Sequence, residues 1–146
     1  MLIKTTRFGA LEVNAADMIR FPSGVLGLDD CKHWVLLADA QNQSLGWLQC
    51  TTRPEVALAV VSPRRFVPDY QFRVFRSELE ALRLGGIEDA QVLVIVGKGA
   101  NGATLNLKAP VVINVAERLA RQVIANGDLP LQYELTHTSA LLKKSA

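Results

Sequence analysis

The residues most suggestive of chemistry are Gly97-Lys98-Gly99-Ala100-Asn101-Gly102, a GxGxxG run directly after the strand-like Val92-Leu93-Val94-Ile95-Val96, with Glu117 twenty residues on. That spacing matches a dinucleotide-binding loop, in which glycines let the backbone approach a pyrophosphate at the amino end of a helix. The mechanism needs a helix that starts at the glycines. Here the chain continues as Thr104-Leu105-Asn106-Leu107-Lys108-Ala109-Pro110, which alternates like a strand and stops at proline. The glycines therefore read as an exposed hairpin loop, and no nucleotide or other cofactor is expected.

Other reactive side chains are sparse. His33 and His137 are the only histidines, and neither sits at ligand spacing from a cysteine or the other histidine, so no metal site is expected. Cys31 and Cys50 lack the CxxC spacing of zinc or redox motifs and read as reduced thiols. No GxSxG or comparable nucleophile signature occurs. The carboxylates Asp29, Asp30, Asp69, Glu78, Glu80, Glu88 and Asp89 read as loop and helix-surface charge, not as a paired acid and base. No catalytic residue is assigned, and the chain is not expected to be an enzyme.

A stretch with recognition chemistry runs from Pro63 to Arg76, where Arg64, Arg65, Arg73 and Arg76 interleave with Phe66, Tyr70, Phe72 and Phe75. Arginines that hold phosphates beside stacking aromatics make single-strand nucleic-acid platforms, so a small RNA-binding β-domain is one reading. On a strand, however, Phe72, Val74 and Arg76 share one face and Gln71, Arg73 and Phe75 the other. Core aromatics flanked by solvated arginines is the other reading, and the glycines of an RRM signature are missing.

The elements that must position these residues are mostly strands. Short runs rich in Val, Ile, Leu and Thr, separated by Gly, Pro, Asn and Asp, predict strands near 2–7, 10–13, 33–38, 45–50, 56–61, 71–76, 91–97, 103–107, 110–115 and 121–125. Phe8-Gly9 and Gln41-Asn42-Gln43-Ser44 supply turns between neighbouring antiparallel strands. One helix is predicted, opened by a Ser77-Glu78-Leu79-Glu80 capping box, with Leu79 and Leu82 as its apolar face and Gly85-Gly86 as its end. One short helix cannot cover a parallel sheet, so the expected fold is a mostly-β antiparallel barrel, closed or partly open.

At 146 residues and 49% hydrophobic, the chain can bury one core, and a single domain over 1–135 is expected. Residues 136–146, with Lys143-Lys144 and little to pack, read as a flexible basic tail. A formal charge of +2 argues neither for a polybasic nucleic-acid binder nor for an acidic disordered chain. Met1 to Arg7 lacks the apolar core of a secretory signal, and no apolar run approaches the length of a membrane helix. A cytoplasmic protein without membrane contact is expected.

Taken in order, Ile19-Arg20-Phe21-Pro22-Ser23-Gly24-Val25-Leu26-Gly27-Leu28, Trp47-Leu48-Gln49-Cys50, Pro68-Asp69-Tyr70 and Thr104 to Asn114 resemble the flagellar assembly factor FliW family, collinearly from about Leu2 to Ile124. The resemblance implies an anti-repressor that binds the RNA-binding translational regulator CsrA and relieves repression of flagellin synthesis. It also implies a chaperone-like partner of flagellin. Such a protein exchanges partners, is monomeric when free, and makes no direct nucleic-acid contact. Its candidate partner-binding residues here are Gln49, Asp69, Tyr70, Asn106, Asn114, Glu78 and Glu80. The chain departs from the family pattern at Leu28, where an aromatic is usual, at Cys50, where a serine is common, and in its pI near 8.7. Any attraction to a basic partner must then be local, through groups such as Asp69, Glu78, Glu80, Glu88 and Asp89.

Overall fold

The structure, a computed structural model, describes residues 1–135. The expected tail, 136–146, lies outside the described residues. The chain runs β1 (Leu2–Thr5), β2 (Gly9–Glu12), β3 (Met18–Arg20), β4 (His33–Ala38), β5 (Gly46–Cys50), β6 (Ala57–Val61), α1 (Arg76–Glu80), β7 (Ala90–Gly99), β8 (Gly102–Leu105), β9 (Val111–Asn114), β10 (Leu119–Gln122) and β11 (Tyr133–Glu134). Three short 3-10 turns lie at Ala15–Asp17, Pro63–Arg65 and Ile87–Asp89.

Seven strands close into a barrel in the order β9-β7-β6-β5-β4-β3-β10, with β10 returning to β9. Every pairing is antiparallel except β10 with β3, which is parallel and joined at Leu119 and Arg20. β8 continues off β7 and carries β11 at its outer edge. β1 and β2 form a separate hairpin.

The closed barrel follows from an alternation with period two, which sends successive side chains to opposite faces of a sheet. Trp34, Leu48, Cys50, Val60, Leu93, Val111, Ile113 and Ala120 point into one buried cluster with Ile19 and Phe21. Each large side chain removed from water there contributes roughly 1.5–3 kcal/mol. The opposite faces are apolar as well, so the barrel needs covers on its outside. The β1–β2 hairpin packs Ile3 and Leu11 against Val35 and Leu37. The residues after β6 and the β8–β11 pair pack Tyr70, Leu105 and Leu135 against Trp47, Val61 and Val94. The α1 region packs Leu79 and Leu82 over Val112, Leu119 and Val123.

Turn chemistry fixes the corners. Gly99 pairs with Gly102 across Ala100-Asn101, so the GxGxxG run is the β7–β8 hairpin and is followed by a strand. Asp39 Oδ2 accepts the amides of Gln41 and Asn42 at the β4–β5 turn. After β3, Phe21 O accepts from Gly24 N at 2.8 Å, and Gly24 and Gly27 take φ of 68° and 83°. Trp34 Nε1 donates to Cys31 O at 2.8 Å and its ring tilts against Phe21, which joins this turn to the core.

Several sequence expectations are corrected. Residues 71–76 form no strand, because no ladder partner lies beside them among the described residues, and α1 begins at Arg76. Ser77 caps nothing: Phe75 is the N-cap, and no side chain accepts at that helix end. The turn after α1 is made by Arg83 at φ 55°, ahead of Gly85-Gly86. β10 occupies 119–122 and not 121–125, and β3 and β11 were not among the predicted strands.

A Cβ at Gly24 would stand 2.8 Å from Asp29 Cα, whereas one at Gly27 meets nothing within 4 Å. Gly24→Ala should therefore cost more than ~2 kcal/mol in urea unfolding, and Gly27→Ala about 1 kcal/mol, the cost of left-handed backbone alone.

Candidate functional site

The polar residues singled out in the sequence fall into two groups. Gln49 is 0% exposed on β5, and its Nε2 donates to Cys50 O, Arg53 O and Pro54 O at 3.0, 3.5 and 3.3 Å. It ties down the β5–β6 corner. Asn114 is 2% exposed at the end of β9; its Nδ2 donates to Leu82 O at 2.7 Å and Arg83 O at 3.2 Å, and its Oδ1 accepts from Glu117 N. One amide thus anchors the chain after α1 and shapes the β9–β10 turn. Asn106 Oδ1 accepts from Ala109 N at 3.0 Å, which sets the turn that delivers Pro110 to β9. Tyr70 is 5% exposed, with its hydroxyl donating to Leu107 O at 2.8 Å and its ring stacked on Phe72. Gln49, Tyr70 and Asn114 therefore turn their side chains inward, because each satisfies backbone groups that burial would otherwise orphan. None of the three offers its side chain to a partner in this conformation.

Asp69, Glu78 and Glu80 form the second group. Asp69 and Glu80 are exposed and Glu78 is half-buried, and none of the three carboxylates makes an ion pair among the described residues. Of the remaining acidic candidates, Asp30 pairs with Arg53 at 3.4 Å and Asp89 accepts from Gly85 N, so these serve local loop structure.

Between the 3-10 turn at Pro63–Arg65 and α1 lies a groove of about 1080 Å³. Val74, Leu79, Leu84, Ala90 and Val92 supply apolar walls. Arg64, Arg73, Arg76 and Arg83 line it with cationic groups, against Glu80 as the acidic one. Arg64 Nε donates to Tyr70 O at 3.2 Å; the guanidinium groups of Arg73, Arg76 and Arg83 have no carboxylate within ion-pair distance among the described residues. Within the groove lining itself, four arginines thus stand against one carboxylate, Glu80. Arg83 carries no signal in the sequence, because only the fold brings it to the groove. Among the aromatics of this stretch, Tyr70 is buried, Phe66 and Phe72 are half-buried, and Phe75 is 68% exposed.

Neither thiol has the setting of a nucleophile. Cys31 and Cys50 are free and buried, and burial, reinforced by Cys50, pushes the Cys31 thiol up to about 11. Among the described residues, no group of three or more His, Cys, Asp or Glu side chains converges to hold a metal ion. No described helix is long and apolar enough to cross a membrane.

Burial also pushes the Tyr70 hydroxyl up to about 12. Its folded value lies above its unfolded one, so the stability it contributes is complete below about pH 10 and is lost as pH rises towards 12. Equilibrium unfolding followed from pH 8 to 12 should show this alkaline loss, and Tyr70→Phe should reduce it while lowering neutral-pH stability by about 1 kcal/mol. Asn114→Ala, which strands the carbonyls of Leu82 and Arg83, should cost about 2–3 kcal/mol in the same measurement.

Comparison with known proteins places this barrel. The family model described as FliW protein matches residues 2–137. A flagellar assembly factor FliW of Bdellovibrio bacteriovorus is 36% identical over 126 residues, covering 85% of this chain and 72% of that one. One from Natranaerobius thermophilus is 34% identical over 140 residues, covering 94% and 91%. A crystal structure of the flagellar assembly factor FliW superposes with a TM-score of 0.83 at 29% identity, over 93% of this chain and 96% of that one.

Proposed function

The chain belongs to the FliW family of flagellar assembly factors, and from that premise we propose that it binds two proteins in alternation, the translational regulator CsrA and flagellin. Held by this factor, the regulator is kept off the flagellin messenger; unsecreted flagellin, when it accumulates, takes the factor away and lets repression resume. The protein acts by binding and changes no covalent bond.

One observation carries this reading: the polar residues of the family-like motifs are used to build the barrel's corners. Those motifs define a scaffold, and recognition then belongs to the surface the scaffold displays. Partner exchange asks for no more than such a surface. It requires either overlap of two sites or a coupling free energy between them, and a coupling of about 1–3 kcal/mol already changes affinity by roughly 5–150-fold. Asp69, Glu78 and Glu80 remain the acidic contacts available to a basic regulator, since their carboxylates are not committed to ion pairs among the described residues. The free protein is taken to be a monomer.

Calorimetric titration with the CsrA protein of the same cell, repeated with flagellin already bound, tests the proposal. Binding to the regulator should weaken once flagellin is present. Short single-stranded RNA is the control, and binding to RNA with no response to either protein would overturn the reading.

A further inference from the structure

The most unusual stretch of main chain runs from Gln71 to Phe75. Its side chains alternate strictly between exposed and half-buried, with Phe72 and Val74 inward and Gln71, Arg73 and Phe75 outward. This is the pattern of a strand, yet the segment belongs to no sheet. In an extended chain, the N–H and C=O of one residue point to the same edge, and successive residues point to opposite edges. Arg73 O accepts from Asn126 N at 2.7 Å, and Phe75 O accepts from Glu78 N, so one edge faces protein. The backbone groups of Phe72 and Val74 belong to the other edge, and neither residue makes a backbone hydrogen bond among the described residues. Both residues line the groove beside α1.

We infer that residues 71–75 form a docking strand, and that the occupant of the groove is an acidic, extended segment of a partner protein. Its main chain would pair with Phe72 and Val74, and its alternate apolar side chains would settle among Val74, Leu79, Leu84 and Val92. Its carboxylates would meet Arg73, Arg76 and Arg83, which have no acidic partner among the described residues. Charge complementarity selects this occupant. The chain's own residues 136–146 contain two lysines and no Asp or Glu, so a cationic groove does not favour them. Single-stranded RNA is disfavoured because stacking needs open rings: of the rings that line the groove, Tyr70 is buried and Phe72 is half-buried against it, and the exposed Phe75 does not line it. The inference goes beyond the identities of the partners proposed above and does not depend on them.

Fluorescence anisotropy of the full chain with a labelled peptide alternating glutamate with leucine and valine tests it. The peptide should bind, and its affinity should fall as salt rises, since exposed charges are screened. A lysine-for-glutamate version should bind at least about tenfold more weakly, and Arg73→Glu with Arg76→Glu should weaken the acidic peptide by about tenfold or more. Both arginines are exposed, so circular-dichroism melting should show the double variant folded like the wild type. Methylation of alternate peptide amides, which keeps the charge, should abolish binding on the wild-type protein if strand pairing is the mode. Equal binding of the acidic and basic peptides, an unchanged affinity in the double variant, or full binding of the methylated peptide would overturn the inference. So would an oligouridylate that binds where the acidic peptide does not.

Discussion

Everything in this fold depends on closure of the sheet at one narrow seam. β3 and β10 meet in parallel through the Leu119 and Arg20 pair, and Arg20 N donates to Arg118 O at 2.9 Å. Arg118 holds left-handed backbone at φ 53° and sends its Nη2 to Asp17 O at 2.6 Å. A turn residue on one side of the seam thus grips the loop that precedes the strand on the other side. With the seam shut, none of the seven barrel strands has a free edge along its paired length, and the interior becomes a volume that must be filled. Trp34 and Phe21 do much of that filling, which is why the turn after β3 is built so rigidly around glycines.

Closure also explains why the outside of the barrel matters so much. Strands such as Val111–Asn114 are buried on both faces, so the outer face needs apolar covers of its own. Three different segments serve: a hairpin, an extra strand pair and a short helix with the chain leading into it. Polar side chains help tie these covers down, and Arg121 Nη1 donates to Glu78 O in α1. Tyr70 reaches Leu107 O, and Asn114 reaches the carbonyls after α1.

Much of this was legible in the sequence, and the failures have identifiable causes. The strands at 33–38, 46–50 and 57–61 were visible because they are short, mainly apolar runs carrying Val or Trp, with clear turns on either side. β3 was not predicted because three residues give too short a period, and one of its two partners, β10, comes from distant chain. Ser77 and Glu80 had capping-box spacing, but the helix starts one residue ahead of Ser77, so the hydroxyl lies inside the first turn. Residues 71–76 carried a genuine strand pattern; what the pattern could not reveal was the absence of a ladder neighbour among the described residues. Gln49 and Asn114 were conspicuous as polar groups within strand patterns, and Tyr70 as part of the Pro68-Asp69-Tyr70 triplet. Their inward direction depended on carbonyls at Pro54, Leu107 and Leu82, and on a fold that brings the last two to Tyr70 and Asn114 from more than thirty residues away.

The seam also sets an order of events during synthesis. Arg20 and Leu119 are roughly a hundred residues apart, and ribosomes add about 5–20 residues per second. For several seconds, then, β3 emerges with β4 on one side and nothing on the other. The N-terminal part of the barrel must wait as an open, apolar sheet until β9 and β10 arrive to complete it. A nascent chain in that state is exposed to chaperones and to other unfinished copies, whereas in the finished molecule β10 meets that edge at Arg20.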